Sequence, residues 1–148
     1  MKIAEIIKKI NSEKYDYIET GIHFFDKEWK GLRIGDLSVF AERPATGTTS
    51  LFCSFARNIS KRNIPVLFIT NDKKDIVKRI ISLEIGRLFY YKNEPYPLID
   101  LPIEIEDMFI FDLKRFEKII QNTSPKVIFI DLFTFGNINE RKIKYLKI

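Results

Sequence analysis

Residues 36–50, Asp-Leu-Ser-Val-Phe-Ala-Glu-Arg-Pro-Ala-Thr-Gly-Thr-Thr-Ser, constrain the fold of this 148-residue chain more than any other stretch. An apolar run over 37–41 reads as a buried strand, a Pro/Gly/Thr turn follows, and a helical pattern opens near Ser50. Strand, small-residue turn and helix is the layout in which backbone N–H groups and a helix N-terminus cradle a phosphate. Laid on the pattern G-x-x-x-x-G-K-[ST], residues 42–49 match at Gly47 and Thr49. Glu42 stands where the first glycine belongs, and Thr48 where the lysine belongs. The competing reading is an ordinary strand-to-helix turn that uses Gly47 for its backbone freedom.

Further along, 66–70 and 127–132 are continuous apolar runs of strand length, and 103–106 is a shorter strand candidate. Helical patterns separate them. In 50–62, Leu51, Phe52, Phe55, Ala56 and Ile59 make one apolar face that also carries the lone Cys53; 63–65 ends it. A longer helix is predicted over 75–91, with Ile76, Ile80, Leu83 and Leu88 inward, and Asp112 is placed to cap a helix running to about Gln121. Residues 93–97 read as a Pro-containing loop. Ahead of the core, residues 1–10 have the spacing of a short amphipathic helix, 22–29 reads as a helical turn, and Gly31 and Gly35 bracket a turn. Apolar strands alternating with amphipathic helices predict an α/β fold: a mostly parallel sheet with helices on both faces. Ligands bind such sheets at the strand C-termini, where the 42–49 turn, Asn71-Asp72 and Asp131 all fall. The expected division is a helical segment 1–17, a core 18–136 and a basic tail 137–148.

Composition narrows the function classes. A hydrophobic fraction of 45% with 14% aromatic, 13 of them Phe, excludes disorder as the main state. One cysteine excludes a disulfide framework, and no Cys/His cluster has metal-ligand spacing. The single histidine, His23, has no ligand-spaced partner. A net charge of +5 is compatible with DNA as a partner. The excess is concentrated in 57–79, with seven bases against two acids, and in 137–148, with four against one. The alternative for both segments is a solvated surface. No membrane-length apolar run or leader pattern is present, so the expectation is a cytoplasmic protein without a membrane partner.

Thr20-Gly21-Ile22, Phe25-Asp26-Lys27, Gly31-Leu32-Arg33, Gly35-Asp36-Leu37 and Ala41-x-Arg43-Pro44 together resemble the C-terminal RecA-like motor domain of DnaB-type replicative helicases. In that family, similar stretches read T-G-x-x-x-L-D, G-L-x-x-G-D-L and A-R-P-S-M-G-K-T. Residues 101–107 look like the family's short strand ending in acids, and 127–132 like its Walker B strand. The KaiC and RadA branch shares some features, but Arg43-Pro44 and 101–107 favour DnaB. The resemblance implies a truncated RecA-like P-loop core, ATP and Mg²⁺ as ligands, and homo-oligomers, DNA or a helicase-type protein as partners. It carries nucleotide binding onto Arg43, Ala45, Thr46, Gly47, Thr48, Thr49 and Ser50, and Mg²⁺ onto Thr49 and Asp131.

The departures point away from efficient hydrolysis. The family's loop lysine is Thr48 here; a charge-assisted contact of that kind contributes about 1.5–3 kcal/mol. The position of the family's water-activating glutamate is Asn71, and an amide does not accept a proton; Asp72 follows it in a shifted register. The family also continues with a strand that lies between the Walker B strand and the loop strand, for which only 133–148 remain. The apolar positions of 142–148 suit either that slot, pairing with another chain, or a surface helix. The expectation is an impaired relative acting by binding, with nucleotide held weakly. Two alternatives stand beside it: an ATPase subunit completed by a neighbour, and a scaffold or self-assembly protein with no ligand.

Overall fold

The computed structural model describes residues 3–12, 16–41, 43, 46–88, 97–110 and 112–131. The chain divides into two compact units, Met1–Ser38 and Val39–Ile148.

The first unit contains α1 (Ile3–Ser12), β1 (Tyr17–Ile18), α2 (His23–Trp29) and β2 (Leu32–Arg33). β1 and β2 pair antiparallel, Tyr17 opposite Arg33 and Ile18 opposite Leu32. Part of the expected Gly31–Gly35 turn is therefore a short strand. Two residues are too few to show a strand's alternation, but the glycine before them has a steric reason. Gly31 sits at φ +97°, and a Cβ there would lie 2.4 Å from the Ile18 carbonyl oxygen, so β2 can approach β1 only with glycine at this point. The Thr20-Gly21 and Asp26 elements of the sequence motif meet in a clasp. Asp26 accepts from the Thr20 amide at 2.7 Å, the Thr20 hydroxyl at 2.8 Å and the Gly21 amide at 2.8 Å.

The second unit is built on a parallel sheet. In chain order it has α3 (Thr48–Ser60), β3 (Val66–Thr70), α4 (Lys73–Ile85), β4 (Ile103–Asp107), α5 (Leu113–Thr123) and β5 (Val127–Ile130). The sheet order is β4-β3-β5, with Val66 level with both Ile103 and Val127. β3 is central, and all five of its residues are buried, which is why its sequence is continuously apolar rather than alternating. The two faces separate by strand periodicity. Leu67 and Ile69 pack with Met108 and with Phe116, Ile119 and Ile120 of α5, joined by Ile128 and Ile130. Phe68 and Phe129 turn the other way and meet α3. Phe129 lies 5.4 Å from Phe52, 6.4 Å from Phe55 and 5.9 Å from Phe68, ring to ring. Helices thus cover both faces, as the α/β reading requires, and Cys53 is wholly buried in the core as its helix face suggested.

One strand expectation is corrected. Residues 37–41 are not a strand: Leu37 is 80% and Val39 79% exposed. Within this run it is Phe40 that turns inward, with its ring 5.4 Å from Phe52 and 6.1 Å from Phe55. An apolar run supplies side chains for burial but not the neighbouring strand its backbone must bond to. Among the described residues β5 has no partner on its outer side. The segment expected to fill that slot, 142–148, lies outside them.

The helix predicted over 75–91 begins at Lys73 and ends at Ile85, where Gly86 takes a left-handed conformation at φ +67°. Ile76 and Ile80 face inward as expected, joined by Ile81, but Leu83 and Leu88 are exposed. At this end α4 meets α3 through charges. Glu84 is bonded to Arg57 and lies 3.0 Å from Lys61, which removes the need for an apolar last turn. Residues 89–91 of that prediction, most of the 93–97 loop and the basic tail 137–148 lie outside the described residues.

Candidate functional site

The turn before α3 forms the base of the site. Gly47 occupies the N-cap at φ +111°, and the Thr46 hydroxyl donates to the Arg43 carbonyl at 2.6 Å, tightening the turn. No side chain caps α3, and its first turn carries no acid. The other two helices of this unit differ. α4 is capped by Asp72, whose carboxylate accepts from the Asp75 amide at 3.0 Å, while Asp107 at the end of β4 accepts from the Lys73 amide at 2.8 Å. α5 is capped by Asp112, which accepts from the amides of Lys114 and Arg115. Among the described residues no side chain caps the amide end of α3, and an uncapped helix N-terminus favours an anion.

Thr48, Thr49 and Ser50 form the first turn of α3, two residues earlier than the pattern suggested. The Thr49 hydroxyl donates to the carboxylate of Asp131, so the two residues assigned by resemblance to Mg²⁺ lie together. Asp131 follows β5 directly, held by its amide bonding to the Ile69 carbonyl at 2.9 Å. It is 6% exposed, and its Oδ2 has no hydrogen-bond partner among the described residues. Burial raises its pKa; the Thr49 hydrogen bond and the charge of Arg79 act against that shift, and Asp75 adds to it. A buried carboxylate with an orphaned oxygen is the donor that a hard cation completes. Thr49 and Asp131 fit Mg²⁺, which takes one or two protein oxygens and fills its remaining positions with water and phosphate. No group of three or more His, Cys, Asp or Glu suited to a metal occurs among the described residues.

The remaining candidates are placed less favourably. Arg43 is exposed, and Ala45 lies outside the described residues. Asn71 follows the end of β3, where a proton acceptor would be wanted, and the neighbouring Asp72 carboxylate caps α4, its Oδ1 accepting from the Asp75 amide. His23 is exposed in α2 and belongs to the first unit. Burial pushes the Cys53 thiol up to about 12, which leaves it un-ionised and chemically quiet near neutrality.

One residue at this site has no signal in the motif pattern. Arg79 of α4 donates through Nε to Asp75 at 2.6 Å and through Nη1 to the Ser50 hydroxyl at 2.7 Å. Its i,i+4 relation to Asp75 is legible in the sequence, but its reach onto α3 depends on how α3 and α4 pack. In the sequence Asp107 is only part of a strand ending in acids; its role in capping α4 depends on β4 lying beside β3.

Three further observations bear on the class of protein. No helix among the described residues is long and apolar enough to cross a membrane. The model of the DnaB-like helicase C terminal domain family matches residues 17–88, a segment that includes the loop, α3, β3 and α4 but stops short of β4, β5 and Asp131. No curated protein matches the chain.

Proposed function

We propose, from the premise that residues 17–88 belong to the DnaB-like helicase C-terminal domain family, that this chain is a catalytically impaired relative that acts by binding. It holds a nucleoside triphosphate with Mg²⁺ weakly, and its partners are DNA, a helicase-type protein or further copies of itself. The observation that carries this reading is an asymmetry between the two halves of the site. Thr49 and Asp131 remain bonded to each other beside an uncapped helix N-terminus. At the end of β3, Asn71 offers an amide and Asp72 is engaged with α4. A site of this kind retains ligands for phosphate and cation, and at the end of β3 it offers an amide where the family places the carboxylate that takes a proton from water. Bound Mg²⁺ would supply charge neutralisation to the phosphate oxygens. Thr48 contributes a hydroxyl where the family has an ammonium, so affinity falls about ten- to a hundred-fold below that of a lysine-bearing loop. Exposed Phe109 and Ile110, between β4 and α5, and exposed Leu113, the first residue of α5, support the protein-partner part of the reading.

Titration with Mg-ATP by calorimetry, with phosphate release measured in parallel, tests the proposal. Weak binding without turnover is the expected result, with tighter binding in Thr48→Lys. Turnover that disappears in Asp131→Asn would replace this reading with a working ATPase subunit. Silence from both the wild type and Thr48→Lys would leave a scaffold without a ligand.

A further inference from the structure

The cation missing from position 48 has a structural counterpart elsewhere in the site. α4 packs along α3 and brings the Arg79 guanidinium to the first turn of α3, with Nη1 2.7 Å from the Ser50 hydroxyl. Asp75, one turn earlier on α4, holds the same guanidinium through Nε at 2.6 Å. These two contacts leave Nη2 without a hydrogen-bond partner among the described residues. The positive charge is felt at Asp131, which places Arg79 within electrostatic reach of the Thr49–Asp131 pair.

We propose that Arg79 is the phosphate-anchoring cation of this site, delivered from α4 in place of the loop ammonium that Thr48 removes. The inference rests on the nucleotide reading above and adds to it the residue that meets the polyphosphate. Three independent features converge on one point: the α3 N-terminus with no side-chain cap, the buried and unpartnered Oδ2 of Asp131, and a guanidinium already docked on that helix turn. The first two ask for an anion and a cation respectively, and a Mg-polyphosphate supplies both. Guanidinium is planar and presents its donors as a fork, which matches two phosphate oxygens better than a single ammonium does. The Ser50 hydroxyl is a neutral partner that a phosphate oxygen can displace, whereas Asp75 grips Nε and keeps the side chain aimed at the site. Asp75 also tempers the charge, so the anchor is weaker than a lysine seated within the loop.

Calorimetry of the full chain with Mg-ATP and with Mg-pyrophosphate separates the outcomes. Arg79→Gln should weaken both ligands about ten- to a hundred-fold, the loss of one charge-assisted contact. Arg79→Lys should recover part of that loss, and Thr48→Lys added to Arg79→Gln should restore binding, which a merely structural role for Arg79 would not produce. Unchanged affinity in a folded Arg79→Gln protein overturns the proposal and leaves the nucleotide site standing. Binding by Thr48→Lys with none by the wild type overturns it as well, since Arg79 then fails to replace the ammonium. Absence of binding in both removes the nucleotide reading itself and this inference with it. Should Arg79→Gln unfold, Asp75→Asn decides the matter: the amide oxygen still accepts from Nε while the tempering charge is gone, so Mg-pyrophosphate should bind several-fold tighter, and unchanged or weaker binding overturns the proposal.

Discussion

At the scale of single residues, Asp131 carries the clearest conflict between folding and function. Its carboxylate is buried, one oxygen is unpartnered, and burial holds its pKa above the ordinary carboxylate value. A folded-state pKa above the unfolded one means that the folded chain binds the proton more tightly, so ionisation costs stability as pH rises through that window. Asp131→Asn should therefore raise the stability of the ligand-free protein by about 1 kcal/mol at neutral pH, a gain of a few degrees in Tm. The gain should shrink as pH falls below the ordinary carboxylate range, where the wild type is protonated in both states. Thermal melts at neutral and acidic pH check the sign; a less stable Asn variant at neutral pH would contradict it. The same substitution should weaken Mg-nucleotide binding, setting stability against function at one position.

Secondary-structure elements show how a family motif can be structural rather than chemical. Thr20-Gly21 and Asp26 lie six residues apart in sequence and close a clasp in which one carboxylate satisfies three donors. Thr20 is wholly buried, so removing its acceptor strands a hydroxyl and an amide. Asp26→Ala should destabilise the first unit by about 1–3 kcal/mol. Hydrogen exchange of the Thr20 and Gly21 amides reports the loss locally; unchanged protection would show that the clasp does not hold the turn. The strand expected over 37–41 is absent for the opposite reason. Its pattern is locally adequate, but a strand exists only where another backbone accepts its hydrogen bonds, and no local signal states whether that neighbour is present.

At the scale of the whole molecule, one core cluster of the second unit lies where β3 and β5 meet α3 on one face of the sheet. Phe129 touches Phe52, Phe55 and Phe68, joining β5, β3 and α3 in one aromatic cluster. Phe129→Ala should cost about 3–5 kcal/mol, a large share of the stability of a domain this size. Denaturant unfolding followed by far-UV circular dichroism measures it; a loss under about 1 kcal/mol would mean that the cluster repacks. This core is legible in the sequence. Continuous apolar strands at 66–70 and 127–132, and helix faces carrying Phe55, Ile59, Ile76 and Ile80, announce a sheet covered on both sides because burial follows periodicity directly.

What the sequence determined by itself was the main strands and helices of the second unit and the chemistry of the loop. β3, β5, α3 and the Asp112-capped α5 follow from apolar spacing and capping residues. The departures at Thr48 and Asn71 are visible because a residue type either carries the needed charge or does not. The tertiary structure decided what depends on distance across elements. It brought Thr49 to Asp131, committed Asp72 and Asp107 to the α4 amides, exposed Leu37 and Val39, and set Arg79 on Ser50. Periodicity fixes which way a side chain faces on its own helix or strand, whereas a contact 29 residues apart in sequence requires the packing of α4 on α3.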